Sequence, residues 1–473
     1  MAAYSLAWNL AEGGAPDETG AGVSGELQVV RDGTDGFAWH AADNPLPPAV
    51  DVAIIGGGII GCSAAYYLGR RGVTVALFEK GRVAGEQSGR NWGWVRQQGR
   101  SPVELPLMIE SLQLWKQLSV DLGEDTGFRQ GGSLYLAEDA AHLAELGEWL
   151  AVARDHDLDT RLLASHELGA ILEGGERWAG ALYTASDGRA EPNRAAPAIA
   201  RGAQRSGARI ISQCAVRGVE RAAGAVCSVV TEHGVVAARA VVCAGGVWSH
   251  LFCRSLGITV PQLSVLGTVA RTAPAKRVLE GQAWSPRIAI RRRADGGYTV
   301  AHGHSFLHPL TPATLRFTPK FFRAFLQGRD SMRLGFGREF FRELVQPRRW
   351  DLDSPSPFER ERVLDPAPEP ALLGQMQEAL RQWHPEIAGA PFVESWGGMI
   401  EASPDVLPII SAVDGLAGFY VATGFSGHGF GIGPGAGRLV ADMVCGTADP
   451  AVLPAFRLSR YFDGSPIRPG PAL

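Results

Sequence analysis

The chain has 473 residues, a formal net charge of −4 and 20% charged residues, enough for two or three domain-sized units with a substantial core. Basic residues are scattered, Arg291–Arg293 being a short local run, so composition excludes a nucleic-acid-binding class. Six cysteines without a C-x-x-C pair read as buried thiols rather than disulfides or a metal site. With no signal peptide and no apolar stretch of membrane-spanning length, the expectation is a cytoplasmic protein, peripheral membrane contact being left open.

Residues 1–49 are rich in Gly, Ala and Asp and close on Pro45, Pro47 and Pro48, which predicts a loop-like leader. The apolar run Val52–Ile55 then predicts a strand buried on both faces of a parallel sheet. Gly56, Gly58 and Gly61 follow in G-x-G-x-x-G spacing, a helical pattern runs through Leu68, and a second buried strand, Val73–Phe78, ends at Glu79. One glycine makes a tight turn, one lets a pyrophosphate reach the backbone, and one lets helix and strand pack closely. The helix N-terminus favours the phosphates, and Glu79 lies at the distance expected for a ribose partner. The whole βαβ unit with its acidic end predicts dinucleotide binding, leaving NAD and FAD equally open.

A polar loop carrying Arg90, Arg96 and Arg100 comes next, costly to order unless it contacts something. Helices are expected over Leu105–Leu118, Ala140–His156 and Asn193–Ser206, with a strand at Ser133–Leu136. Short β runs follow near Val216, Val226–Thr231 and Ala240–Ala244. The Asp295-Gly296-Gly297 turn between Ile288–Arg293 and Tyr298–His302 predicts a hairpin, and Arg291–Arg293 read as a solvated face. Residues 305–390 read as helix-rich, and the chain closes with a glycine-rich loop and a helix over Gly435–Val444.

Four stretches together resemble the flavin-dependent amine and amino-acid oxidoreductases of the D-amino-acid oxidase, glycine oxidase and sarcosine oxidase group. They are the dinucleotide motif, SGRNWGWVR at 88–96, AVVCAGGVWSHLF at 240–252, and WGGMIEASPDVLPII…GFYVATGFSGHGFGIGPGAG at 396–437. The resemblance implies an α/β fold, a Rossmann-like FAD-binding domain interleaved with an α+β substrate domain built on an antiparallel sheet. The FAD-binding parts are expected at 50–127, 190–254 and 396–473, the last with the C-terminal tail, and the substrate parts at 128–189 and 255–395. It further implies FAD contacts from Lys80, Ser88, Arg90, Asn91, Trp92, Val216, Ala244, Gly245, Trp248 and Gly398, and from Gly424, Phe425, Gly427, His428 and Gly429 of the glycine loop. Bare backbone N–H groups in such a loop suit negative charge on a reduced flavin.

Arg96 matches an arginine that pairs with the substrate carboxylate in the sarcosine oxidase branch, and a guanidinium suits that task. His428, His302 and His304 are candidate site residues, His302 because it ends a strand expected over the flavin. Three departures matter. Gly431 stands where that branch has a carboxylate-binding lysine. Gly398 and Arg90 stand where relatives tether flavin through cysteine or histidine, so non-covalent FAD is expected. Lys276 and Lys320, the two lysines left as candidates for promoting reaction with oxygen, fall in no recognisable motif.

The reaction the resemblance implies is oxidation of the C–N bond of an amino acid or N-substituted amino acid, by hydride transfer to flavin N5 and then imine hydrolysis. The substrate is thus a small-molecule amine or amino acid, and the electron acceptor is O2 or a redox partner. Two alternatives stand beside it: the flavin subunit of a multi-component, opine-type dehydrogenase, and an NAD-dependent dehydrogenase.

Overall fold

The structure, a computed structural model, describes residues 45–329 and 331–470. The leader at 1–49 falls almost wholly outside the described residues. At its end Ala49 already opens the first strand, and Ala237 donates a backbone hydrogen bond to Pro48.

The nucleotide-binding side is an eight-stranded sheet. Ala49–Ile55 lies at its centre between two parallel neighbours, Val75–Phe78 and Gly234–Cys243. Arg209–Ile211 extends the sheet beyond Val75–Phe78, and Phe419–Thr423 runs parallel to the end of Gly234–Cys243. Val52, Ala53 and Ile54 are buried because helices or loops cover both faces, as the uninterrupted apolar run predicts. Helix Ile59–Gly69 packs between Pro192–Arg205 and the C-terminal helix Gly429–Cys445. Gly429–Cys445 starts six residues before its predicted start, so much of the expected glycine loop is helical. Its glycines permit close helix packing: a Cβ on Gly437 would lie 2.2 Å from Ser63 Cβ, and one on Gly433 2.9 Å from Ile59 Cγ1. The turn at 403–407 is pinned by residues that follow this helix. Asp405 is clamped by Arg460 at 2.8 and 3.0 Å and accepts the Tyr461 hydroxyl hydrogen bond at 2.5 Å.

The substrate side is a ten-stranded sheet whose longest pairing joins Leu263–Thr272 to Phe392–Ala402. It is mixed rather than purely antiparallel, because Gln282–Trp284 runs parallel to Ser133–Ala137, and Phe306–Pro309 to Met332–Gly335. Its strand Phe392–Ala402 crosses the boundary expected at residue 396, so Gly398 belongs to the substrate sheet.

Smaller differences have local causes. The amphipathic segment after Ala140 forms two helices, Ala140–Glu148 and Leu150–Asp155, the first capped by Asp139, which accepts from His142 N at 2.8 Å. The hairpin forms between Ala289–Arg292 and Tyr298–Ala301. Arg291 corrects the solvated-face expectation: it is 0% exposed, and its Nη1 lies 2.9 Å from Glu191 Oε1. Of the cysteines, Cys62, Cys214, Cys243 and Cys253 are buried, whereas Cys227 and Cys445 are exposed.

Candidate active site

A single cavity of about 700 Å³ runs from the βαβ turn to the substrate sheet. At one end the wall is backbone. Gly56 has φ +108°, and a Cβ there would sit 2.5 Å from Ala244 O, so only glycine fits where two strand ends meet. Gly58 precedes helix Ile59–Gly69, whose first turn carries no acidic residue, and Ser88 Oγ accepts from Ile59 N at 2.8 Å. Gly61 does not line the cavity; it serves close packing, since a Cβ would meet Gly56 O at 2.0 Å.

Glu79 accepts from Gly57 N and Gly81 N, each at 2.7 Å, and lines the cavity. Burial raises its pKa against those two hydrogen bonds, which favour the ionised form. A diol donor at the cavity face would add further stabilisation. Lys80 lines the cavity as well, its Nζ 2.7 Å from Glu86 Oε1 and 4.2 Å from the Trp248 ring centroid. Trp248 Nε1 donates to Glu86 at 3.0 Å, so this tryptophan is a wall residue held by a polar contact rather than plain core.

Of the other expected contacts, Ser88, Arg90, Asn91, Trp92, Val216, Ala244, Gly245, Gly398, Phe425, Gly427, His428 and Gly429 line the cavity. Gly424 does not; it supports the turn from behind, against Ile409 and Ser403. Asn91 is mainly a loop staple, donating to Ser88 O at 2.7 Å and accepting from Gly93 N at 2.7 Å. Arg90 is engaged by Asp365 at 2.5 Å. A Cβ on Gly398 would lie 3.6 Å from Arg90 Cβ, an ordinary contact, so the position where relatives carry a tethering cysteine has room for a side chain.

At the other end the wall is made of side chains. Arg96 lines it, with its guanidinium carbon 5.8 Å from the Trp94 ring centroid and 5.4 Å from that of Tyr135. Its Nη1 donates to Gln98 O. Tyr135 packs on Trp284 at 4.9 Å, and Trp284 on His304 at 4.9 Å. His302, expected here, does not line the cavity: its Nδ1 accepts from His304 N at 3.2 Å, and His304 takes its place on the wall. The strand ends at Ala301, so the chain has turned by His302.

Several residues on or behind the wall lie outside the sequence expectations. Arg100, 2% exposed, donates from Nε to Arg96 O at 3.3 Å, and its Nη1 is buried without a partner. Burial, then the charge of Arg96, lowers its pKa to about 10. Its signal was present as the third arginine of one costly polar loop. Glu104 is fully buried and takes the His428 Nδ1 hydrogen bond at 2.8 Å. Burial and Arg100 hold His428 neutral, with a pKa of about 4, while Glu104 stays ionised. Glu401, 4% exposed, accepts from Phe425 N at 3.4 Å and from the Gln87 amide, whose Oε1 accepts from Val247 N at 3.0 Å. Burial raises this carboxyl to about 7. A glutamate in the middle of the buried run WGGMIEASPD was the available signal. Lys276 pairs with Glu173 at 2.5 Å and Lys320 donates to Tyr461 O, and neither lines the cavity.

A glycine cradle at a helix N-terminus, a buried acceptor at the second strand end and a long cavity continuing to a second sheet define a dinucleotide-dependent oxidoreductase. The family model for FAD dependent oxidoreductases (DAO) matches residues 51–443, and the chain belongs to that family. Mouse mitochondrial dimethylglycine dehydrogenase is 25% identical over 431 residues, 87% of this chain and 44% of that protein. The chain thus spans about half the length or less of the curated relatives it first matches. Sarcosine oxidase subunit beta of an Arthrobacter species is 26% identical over 90% of this chain and 94% of its own length. Among solved structures, L-amino acid deaminase from Proteus myxofaciens, in complex with anthranilate, has a TM-score of 0.83 at 33% identity, covering 87% of this chain and 94% of that one. Membership resolves the NAD-or-FAD choice in favour of FAD, and the residues fit it: the glycine cradle and Glu79 suit the nucleotide half, and the cavity continues far enough for a ring system beyond it.

Proposed function

We propose that this protein oxidises the C–N bond of an amino acid or N-substituted amino acid, with FAD bound non-covalently. Arg96 carries the reading. It is a guanidinium held between two aromatic rings at the end of the cavity opposite the nucleotide cradle, where it would pair with the substrate carboxylate. FAD, when bound, accepts the hydride. The chain orients the substrate through Arg96, excludes water with Trp92, Trp94, Tyr135 and Trp284, and keeps His428 neutral against Glu104, able to take a proton at Nε2. The names of the similar proteins, which include amino-acid and N-methyl amino-acid enzymes, support this substrate class. Anaerobic mixing with D- and L-amino acids, N-methyl amino acids and opines tests it: at least one should bleach the flavin, and bleaching by none of them would reject the reading.

A second reading concerns the acceptor, a redox partner instead of O2, as in a multi-component dehydrogenase. The positions of Lys276 and Lys320 away from the cavity favour it, as does similarity to a protein named as one subunit. Substrate-reduced enzyme should then reoxidise slowly in air and rapidly with an artificial quinone; rapid peroxide release would count against it. For localisation we propose the cytoplasmic side of a membrane surface. Among the described residues no helix is long and apolar enough to cross a membrane. Helices Pro312–Gln327 and Arg338–Val345, however, expose Leu315, Phe322, Leu326, Phe341, Leu344 and Val345 beside Arg316, Arg323, Arg338 and Arg342. Sedimentation with anionic but not zwitterionic vesicles is the expected result.

A further inference from the structure

Residues 350–365 are read from sequence as part of the substrate lobe, and both flanks agree. Helix Arg338–Val345 precedes them, and Pro370–Trp383 follows, with Leu372, Met376 and Leu380 in or beside the substrate-sheet core. The segment itself leaves that lobe and lies across the nucleotide end of the other. Phe358 is buried against Trp248 and Phe252, with ring centroids 6.0 and 5.8 Å away, and lines the cavity, as does Val363.

The crossing is fastened along its length. Trp350 Nε1 donates to Arg217 O at 2.8 Å, and the Arg217 guanidinium holds Glu359 through two hydrogen bonds of 2.9 Å. Arg362 is held by Glu232 at 2.8 and 2.6 Å and donates to Lys80 O at 2.8 Å. Lys80 Nζ returns hydrogen bonds to the carbonyls of Glu361 and Arg362, at 2.8 and 3.0 Å. Leu364 N donates to Glu86 at 3.0 Å and Asp365 pairs with Arg90 at 2.5 Å. The underlying surface is shaped for it: a Cβ at Gly81 would lie 2.3 Å from Arg362 O, and one at Gly218 2.5 Å from Leu352 Cδ2. Arg217 neighbours Val216, and Lys80 neighbours Glu79, so both latches sit beside residues expected to contact FAD.

We propose that residues 350–365 are a cofactor clasp, a strap from the substrate lobe that closes the nucleotide end of the FAD site. Phe358 and Val363 are its cofactor-facing side chains, and Arg217–Glu359 and Arg362–Glu232 are its latches. FAD leaves only when the strap lifts, which retains a cofactor that has no covalent tether. The inference depends on FAD binding and not on which amine is oxidised.

The test is the rate at which FAD leaves the holoenzyme, followed by recovery of free-flavin fluorescence on dilution. Glu359→Gln and Arg362→Met should each release FAD about tenfold faster, the loss expected for a charged hydrogen-bonded pair. Exchange of the pair, Arg217→Glu with Glu359→Arg, should recover part of the retention. Arg177→Met, which breaks a pair of 2.5 Å with Glu386 within the substrate lobe, controls for general loosening and should leave release unchanged. Melting of the flavin-free protein should shift equally little in the latch variants and the control. Unchanged release in both latch variants, or release that merely tracks the fall in flavin-free melting temperature, would overturn the clasp.

Discussion

The two ends of the cavity are built from different materials. At the nucleotide end the floor is main chain, fixed by Gly56, Gly58 and the carbonyl of Ala244, with Glu79 at a strand end and the side chains of Trp248, Phe358 and Val363 beside it. At the substrate end it is side chains: Arg96 and Arg100 from a loop, Tyr135 and Trp284 from adjacent strands, His304 from a turn. A backbone wall leaves no choice of residue where a Cβ would collide, whereas a side-chain wall permits many solutions, which suits the end where the proposed function puts the substrate.

The sharpest way to break the comparison is at the first end. Gly56→Val requires a branched residue at φ +108° and places its Cβ 2.5 Å from Ala244 O, so the purified protein should be colourless or unfolded. A yellow, fully active variant would show that the cradle is not what holds FAD. Where helix Pro192–Arg205 meets the substrate sheet, Arg291→Met leaves the buried Glu191 without its nearest cation and should cost roughly 3–5 kcal/mol in denaturant unfolding, with any FAD that remains bound spectrally normal. At the second end, Arg96→Met should lower kcat/KM for carboxylate substrates by roughly 10²–10³ with FAD retained, and Arg100→Met by about tenfold.

A further effect, on pH dependence alone, concerns Glu401. Its folded pKa, about 7, lies above that of an unfolded glutamate. Its contribution is therefore fully present below about pH 4.3 and is lost as pH rises through 7, by up to about 3 kcal/mol. Glu401→Gln should flatten the stability of the flavin-free protein across that window, checked by denaturant melts at pH 5 and pH 8.

The same division explains what could be read in advance. The βαβ unit was legible because each residue answers to a local rule: apolar run, glycine turn, helix, acidic end. The interleaved lobes were legible as well, though the strand Phe392–Ala402 blurs the boundary, because sheet membership depends on pairing with Leu263–Thr272, far away in sequence. Arg291 was misread as solvated because its buried partner, Glu191, lies 100 residues away. The glycines of Gly429–Cys445 read as a loop, since their close packing on Ser63 and Ile59 leaves no local mark. His302 and His304 differ by two residues and one turn, and only the fold decides which of them lines the cavity. Residues 350–365 fall by resemblance in one lobe, while most of their fastenings lie with the other.

The central claim is that a carboxylate held by Arg96 presents its amine to the flavin. Stopped-flow flavin reduction under anaerobic conditions, comparing the best amino-acid substrate with its methyl ester in wild type and Arg96→Met, addresses it directly. The account predicts fast reduction of wild type by the acid, reduction by the ester slower by two orders of magnitude or more, and near-equal slow rates for both in the variant. Equal reduction of wild type by acid and ester would contradict it.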